Sequence, residues 1–249
     1  MKYELTIGWL YPELMNIYGD RGNVIVLKKR CEWGGIKTNI LELNIGFKNE
    51  DLKKCDILLM GGAQDAQQEA VAKDLFEKKD ILKKMIEDNI PGLYICGAYQ
   101  FLGNYYKEAN GNKIKGLGIF DLYTENPGEN SQRLIGNATF KSELLKSIII
   151  GFENHGGRTY LGKDLLPFGR VVKGFGNNGK DNSEGAIYKN SFGTYLHGPI
   201  LPKNPQLADY LITKALEIKY KKKIILKNLD NLLENNARLA IAKRLRITI

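Results

Sequence analysis

Pro91-Gly92-Leu93-Tyr94-Ile95-Cys96-Gly97-Ala98-Tyr99-Gln100 is the stretch that decides the fold. A short apolar run ends at Ile95, and small residues follow Cys96 before an apolar segment containing Phe101, Leu102 and Tyr105. That order spells a buried strand, a sharp turn and a helix. A nucleophile elbow has this arrangement, because its tip side chain is thrust out of a strained turn and the neighbours must be small. A helix beginning beneath the sulfur would favour the thiolate through its free N–H groups and dipole, and the Gly97 amide could then serve an oxyanion. The turn pattern alone leaves two readings open: a nucleophile, or a buried core cysteine, the common fate of a free thiol. Cys31, on an amphipathic segment, and Cys55, after Lys53-Lys54, lack the setting and read as structural.

Outward from the elbow, strand-like runs at Leu5 to Trp9, Ile36 to Leu41, Ile57 to Met60 and Leu93 to Ile95 alternate with amphipathic segments at Val24 to Glu32 and Lys73 to Asp88. In the latter, Leu75, Phe76, Leu82, Met85 and Ile86 fall at helical spacing, with Lys79 interrupting the stripe. This β-α-β-α order with apolar strands predicts an α/β fold whose largely parallel sheet is covered by helices on both faces. Between Gly116 and Ile150, short β-branched runs around the turn cluster Asn126-Pro127-Gly128-Glu129-Asn130 predict an antiparallel extension. Gly151 to Gly185 is rich in Gly and Asn and reads as a loop region on the sheet edge. Helix is expected again over Asn204 to Lys219 and Leu229 to Leu245, so that 204–249 forms a basic helical tail. No internal repeat or low-complexity linker divides the 249 residues, and one domain over 1–249 is expected.

Composition sets outer bounds. With 43% hydrophobic and 26% charged residues the chain has material for a sizeable core. Its apolar runs are far shorter than the ~20 residues of a membrane helix, and no signal-peptide pattern opens it, so a soluble cytoplasmic protein is expected. Three cysteines without a CxxC pair, and only two histidines, argue against a disulfide framework and against a zinc site. The net charge of +9 comes largely from C-terminal lysines and reads as a solvated surface. Basic and aromatic residues do not interleave as in a nucleic-acid groove.

A thiol nucleophile needs a base. His197 follows the apolar run Ser191 to Leu196 and precedes Gly198-Pro199, which puts it at a strand's C-terminal edge, where open α/β sheets gather their functional groups. His155, in Phe152-Glu153-Asn154-His155-Gly156-Gly157, is the rival, though its glycine-rich setting better suits offering backbone groups to a ligand. A satisfied structural histidine stays open for either. Met60-Gly61-Gly62-Ala63-Gln64-Asp65 is a second strand ending in glycines, read either as a plain tight turn or as the other half of an oxyanion hole.

With these motifs assembled, the chain resembles the class I (triad-type) glutamine amidotransferases, and within them the cobyric-acid-synthase-like branch. The resemblance runs through Tyr18-Gly19-Asp20-Arg21-Gly22-Asn23, Gly61 to Asp65, Cys96 to Gly103, Gly151 to Thr159 and Gly193 to Pro199. It implies a flavodoxin-like fold and a glutaminase. Cys96 attacks the side-chain amide of glutamine, the Gly62 and Gly97 amides hold the oxyanion, and His197 protonates the departing ammonia and then activates water. Arg133, in Gln132-Arg133-Leu134-Ile135-Gly136, resembles the arginine that holds the substrate's α-carboxylate, with Gln100 and Asn154 as secondary contacts. The resemblance further implies a Mur-ligase-like (MurT type) synthetase partner. ATP and Mg are expected on that partner and no cofactor on this chain, with the ammonia amidating the D-glutamate α-carboxyl of lipid II at a membrane surface. A glutaminase serving a cobyrinate-type synthetase, a catalytically silent scaffold subunit, and a cysteine peptidase or redox-stress protein on the same fold are the alternatives. One departure stands out. Many relatives carry Glu two residues after the histidine; here that position is Pro199, which leaves His197 without a local carboxylate. A carboxylate donated by the partner subunit is therefore expected.

Overall fold

The computed structural model describes residues 2–249, the Asp65 side chain apart. Its first part runs β1 (Tyr3–Leu10), α1 (Arg21–Trp33), β2 (Ile36–Leu43), α2 (Asn49–Leu52), β3 (Ile57–Met60), α3 (Asp65–Glu77), α4 (Lys79–Glu87), β4 (Gly92–Ile95) and α5 (Gly97–Leu102). Helical crossovers return the chain to the same sheet edge, so β2, β1, β3 and β4 lie side by side and parallel. Successive strand residues face opposite sides of a sheet. All four residues of β3 and all four of β4 are buried, so both faces are covered there. The amphipathic stripe expected over 73–88 is split between α3 and α4, with the break at Lys78. Lys79 sits where a straight helix would direct its ammonium at the core; the break leaves it half-buried over the Phe76 ring.

The second part contributes β5 (Tyr105–Lys107), β6 (Lys113–Lys115), β7 (Leu122–Glu125), β8 (Leu134–Ser142), β9 (Ser147–His155), β10 (Arg158–Leu161), β11 (Gly169–Lys173), β12 (Ser183–Glu184), β13 (Ala186–Tyr188), β14 (Ser191–Thr194) and β15 (Leu196–His197). Most of it is the expected antiparallel extension: a five-stranded sheet ordered β12-β11-β8-β9-β15, and a four-stranded one ordered β10-β7-β5-β6. Nearly half of the loop expected over 151–185 is instead strand: β9 continues to His155, β10 pairs with β7, β11 with β8, and β12 with β11. Those pairings are non-local, and a window of Gly and Asn does not display them. The chain then re-enters the main sheet. β14 lies parallel to β4, and β13 closes the edge antiparallel, giving the order β13-β14-β4-β3-β1-β2.

The tail forms α6 (Pro205–Tyr220) and α7 (Leu232–Leu245). Proline at the first turn of α6 loses no helical hydrogen bond. Its face of Leu207, Ala208, Leu211, Ile212, Ala215 and Leu216 is buried in the common core. Two arginines anchor the basic segment: Arg30 grips both Asp209 oxygens at 2.8 Å and reaches Asn231, while Arg238 donates to the Lys203 and Ile148 carbonyls. Among the described residues no helix is long and apolar enough to cross a membrane.

Candidate active site

β4 ends in a strained tip. Cys96 has φ 54° and ψ −104°, a region that residues with a Cβ rarely adopt at a cost of order 1–3 kcal/mol. Two backbone hydrogen bonds hold it there. Its N–H donates to the Thr194 carbonyl on β14 at 2.8 Å, and its carbonyl accepts the Gln100 N–H inside the first turn of α5. Cys31 and Cys55 are also buried but lie away from this tip, and burial pushes their thiols up to about 11 and about 12.

His197 arrives from the neighbouring strand. The chain leaves the main sheet at Thr194 and enters the antiparallel sheet at Leu196, so the imidazole is carried beside the elbow, fully buried. Its Nδ1 lies 3.4 Å from Asp20 Oδ1, and the edge of the Tyr18 ring meets the imidazole with centroids 5.0 Å apart. Burial disfavours the imidazolium, but the charges of Cys96 and Asp20 outweigh it and hold the His197 pKa above its ordinary 6.5. The partner-donated carboxylate expected for His197 has a counterpart within the chain itself. The carboxylate beside His197 comes from this chain, at Asp20 just before α1, and not from the position after the histidine.

A second correction follows from the same carboxylate. Asp20 Oδ2 accepts the Gly62 N–H at 2.8 Å, so that amide orients the aspartate and is not turned to an oxyanion. The Ala63 nitrogen lies 3.4 Å from where a Gly97 Cβ would stand. Neither the Ala63 nor the Gly97 N–H finds an acceptor among the described residues. Gly62 has a steric reason of its own. A Cβ there would stand 2.8 Å from His197 Cε1 and 3.1 Å from Cys96 Cβ, forcing the two side chains apart. Gly62→Ala is expected to leave the protein folded but to lower glutamine turnover roughly 100-fold, the effect of misplacing reacting groups by about 1 Å. Steady-state glutamate release beside a thermal melt checks this.

The elbow opens into a cavity of about 400 Å³ whose wall includes Cys96, Gln100, Arg133, Asn154 and Tyr18. Arg133 is exposed and held at one edge: its Nε donates to Asn154 Oδ1 and one terminal nitrogen to the Asn154 carbonyl, both at 3.0 Å. Asn154 Nδ2 in turn donates to the Tyr18 hydroxyl at 2.8 Å, which ties the guanidinium to the histidine's neighbour. Gln100, buried, donates its Nε2 to the Tyr195 hydroxyl at 3.2 Å. Its Oε1 carries no hydrogen bond, leaving an acceptor at the cavity wall. His155 is a different kind of histidine. Its ring stacks on Tyr195 at 3.6 Å, its Nδ1 meets the Gly157 carbonyl, and burial lowers its pKa, which suits a neutral structural ring.

Cys96, His197, Arg133, Gln100, Asn154 and Gly97 thus converge as expected, and Gly62 joins them in an altered role. Asp20, Tyr18 and Ala63 were not singled out for chemistry. Asp20 and Tyr18 lie in the Tyr18-to-Asn23 motif, whose resemblance to the family was the available signal; nothing local assigns its carboxylate to a histidine 177 positions away.

Comparison with known proteins identifies the family. Residues 6–205 match the model of the CobB/CobQ-like glutamine amidotransferase domain. Lipid II isoglutaminyl synthase (glutamine-hydrolyzing) subunit GatD of Staphylococcus aureus is 46% identical, over 87% of this chain and 86% of its own length. The subunit of the same name from Streptococcus pneumoniae is 43% identical, over 93% and 88%. Among solved structures, a glutamine amidotransferase superposes with a TM-score of 0.56 at 16% identity, covering 84% of this chain and 98% of that one. PurLQS from Thermotoga maritima superposes with a TM-score of 0.57 at 14% identity, covering 89% and 100%. These distant superpositions speak to the fold.

Proposed function

The chain belongs to the CobB/CobQ-like glutamine amidotransferase family, and from that premise we propose that it is the glutaminase subunit of a lipid II isoglutaminyl synthase. The observation that carries the reading is the alignment of buried Asp20 and His197 behind Cys96, which shares the wall of one cavity with Arg133. Glutamine enters with its α-carboxylate on the Arg133 guanidinium, a charge-assisted pairing. Gln100, on the cavity wall, serves as a secondary contact. The carboxamide carbon then lies over Cys96.

The Cys96 thiolate adds to that carbon, and the Gly97 and Ala63 N–H groups stabilise the oxyanion. Collapse of the tetrahedral intermediate forms the thioester and expels ammonia, which takes its proton from the His197 imidazolium. The neutral imidazole next removes a proton from water as the water attacks the thioester. Glutamate leaves, and the thiolate–imidazolium pair is restored. Asp20 keeps the Nδ1 tautomer throughout and does not itself carry the proton.

Ammonia passes to a Mur-ligase-like (MurT type) partner, which uses ATP and Mg to activate the D-glutamate α-carboxyl of lipid II and yields D-isoglutamine. The names of the two relatives support lipid II as the acceptor, and the resemblance to the family supports the type of partner. The test is co-purification with such a synthetase, followed by glutamine-dependent amidation of lipid II. Product formed with glutamine and lost on Cys96 alkylation supports the reading; a complex that amidates only with added ammonia overturns it.

Arg133→Ala separates binding from chemistry. Loss of a hydrogen-bonded charge pair of ~1.5–3 kcal/mol should raise KM for glutamine roughly 10- to 100-fold, while kcat falls far less. Glutamate release measured against glutamine concentration decides it.

A further inference from the structure

The chain changes sheets between Thr194 and Leu196. β14 is hydrogen-bonded to β4 of the parallel sheet, whereas β15 is paired with β9 of the antiparallel one, and Tyr195 belongs to neither. A sheet switch frees backbone groups that no ladder satisfies. Here the freed Tyr195 N–H donates to Glu184 Oε1 at 2.8 Å, and the Thr194 hydroxyl donates to the same oxygen at 2.8 Å. The Thr194 hydroxyl oxygen in turn accepts the Leu196 N–H at 3.0 Å. One carboxyl group therefore fastens three consecutive residues. On one side of this joint the Thr194 carbonyl holds the Cys96 N–H; on the other, the next residue after Leu196 is His197.

We infer that Glu184 is a positioning residue for the glutaminase reaction, a buried clamp that sets His197 against Cys96 by fixing the joint from which both are held. The proposal rests on the reaction described above and adds to it a group that touches neither substrate nor reacting atom. Glu184 is 1% exposed and sits on the short edge strand β12. Its second oxygen, Oε2, is buried and makes no hydrogen bond. Burial, reinforced by the charge of nearby Glu153, pushes its carboxyl up to about 8 in spite of the two donors, which favours the neutral acid. A neutral group that works through one accepting oxygen has glutamine as its isostere.

The experiment compares Glu184→Ala and Glu184→Gln in the full chain with its synthetase partner. Three readouts are taken: kcat and KM for glutamine, the rate at which iodoacetamide alkylates Cys96, and the thermal melt. Cys96 lines the cavity, whereas Cys31 and Cys55 lie away from it with thiols pushed up to about 11 and about 12, so the fast alkylation reports Cys96. Glu184→Ala is expected to lower kcat roughly 100-fold with KM within about threefold of wild type, since Arg133 and Asn154 stand on other elements. Its Cys96 should alkylate about tenfold more slowly, because the imidazolium that supports the thiolate has moved. Glu184→Gln is expected to recover both rates to within about fivefold of wild type.

An alanine variant that keeps wild-type kcat and alkylation, or a glutamine variant as impaired as alanine, overturns the clamp. Should the alanine variant not fold, Thr194→Val removes one of the clamped groups and must show the same loss of kcat and alkylation at constant KM. Alkylation is read without glutamine, so a wild-type chain that fails to hydrolyse glutamine would sink the proposed reaction and still leave the clamp decided.

Discussion

Cys96→Ala is expected to abolish glutamate release from glutamine, by at least about 10⁴-fold, while the complex goes on amidating its acceptor when supplied with ammonia. The two halves of that result have separate physical grounds. Without sulfur there is no nucleophile for the carboxamide, and His197 and the N–H donors alone retain only the residual catalysis of a bound, polarised substrate. The tip itself survives, because alanine loses only the sulfur and is no more strained than cysteine at φ 54°, and the backbone bonds to Thr194 and Gln100 do not involve the side chain. Synthesis from free ammonia then needs only the partner. Loss of ammonia-driven synthesis as well would mean that the substitution had broken the complex, and unchanged glutamine hydrolysis would remove Cys96 from the reaction. Parallel assays with glutamine and with ammonium chloride provide the reading.

Asp20→Asn should be almost as severe, lowering glutamine hydrolysis by about 10³- to 10⁴-fold. The carboxylate performs two tasks at once: it faces His197 Nδ1 and it accepts the Gly62 N–H. An amide cannot present two accepting oxygens, so either the Gly62 N–H loses its partner or an NH₂ group confronts the Nδ1–H. Because Asp20 belongs to this chain, the loss should be equal in the isolated subunit and in the complex. Full rescue on adding the partner would revive the idea of a carboxylate donated from outside.

The pH profile gives an independent check with a definite sign. The His197 pKa is raised in the folded protein, so its contribution to stability is fully present below 6.5 and is lost as pH rises through the higher folded value. The imidazolium that protonates ammonia persists over the same window. Activity should thus hold above pH 6.5 and fall only on an alkaline limb set by the folded pKa. Asp20→Asn removes one of the two charges that support the imidazolium, and its alkaline limb should move down in pH. A limb that does not move would exclude Asp20 as the electrostatic partner.

Much of this molecule was legible in its chain. The elbow at Cys96 could be read because strand, small residues and helix are consecutive, and steric demand at a tight turn is a local property. The parallel strands were legible for a similar reason, since a strand buried on both faces is apolar throughout. Two histidines left few candidates for a base, and the run preceding His197 put it on the correct edge. The resemblance of the five motifs supplied glutamine as substrate and Arg133 as its anchor.

What the chain did not display are relations between distant residues. The segment from Gly151 to Gly185 looked like loop because most of its strands pair outside it, and glycine and asparagine there serve positive-φ turns and side-chain hydrogen bonds that a window cannot show. Asp20 was visible as part of a motif, yet its role beside His197 arises only when the turn before α1 folds over the end of β3. The Gly62 amide, reasonable as an oxyanion donor by position, is claimed by that same aspartate. Local sterics and hydrophobic periodicity therefore determined the scaffold and its nucleophile. The gathering of groups around Cys96, with the Asp20 carboxylate and the joint that carries His197, was decided by tertiary structure, because the hydrogen bonds of Asp20 with His197 and Gly62, and of Cys96 with Thr194, join segments that the sequence keeps apart.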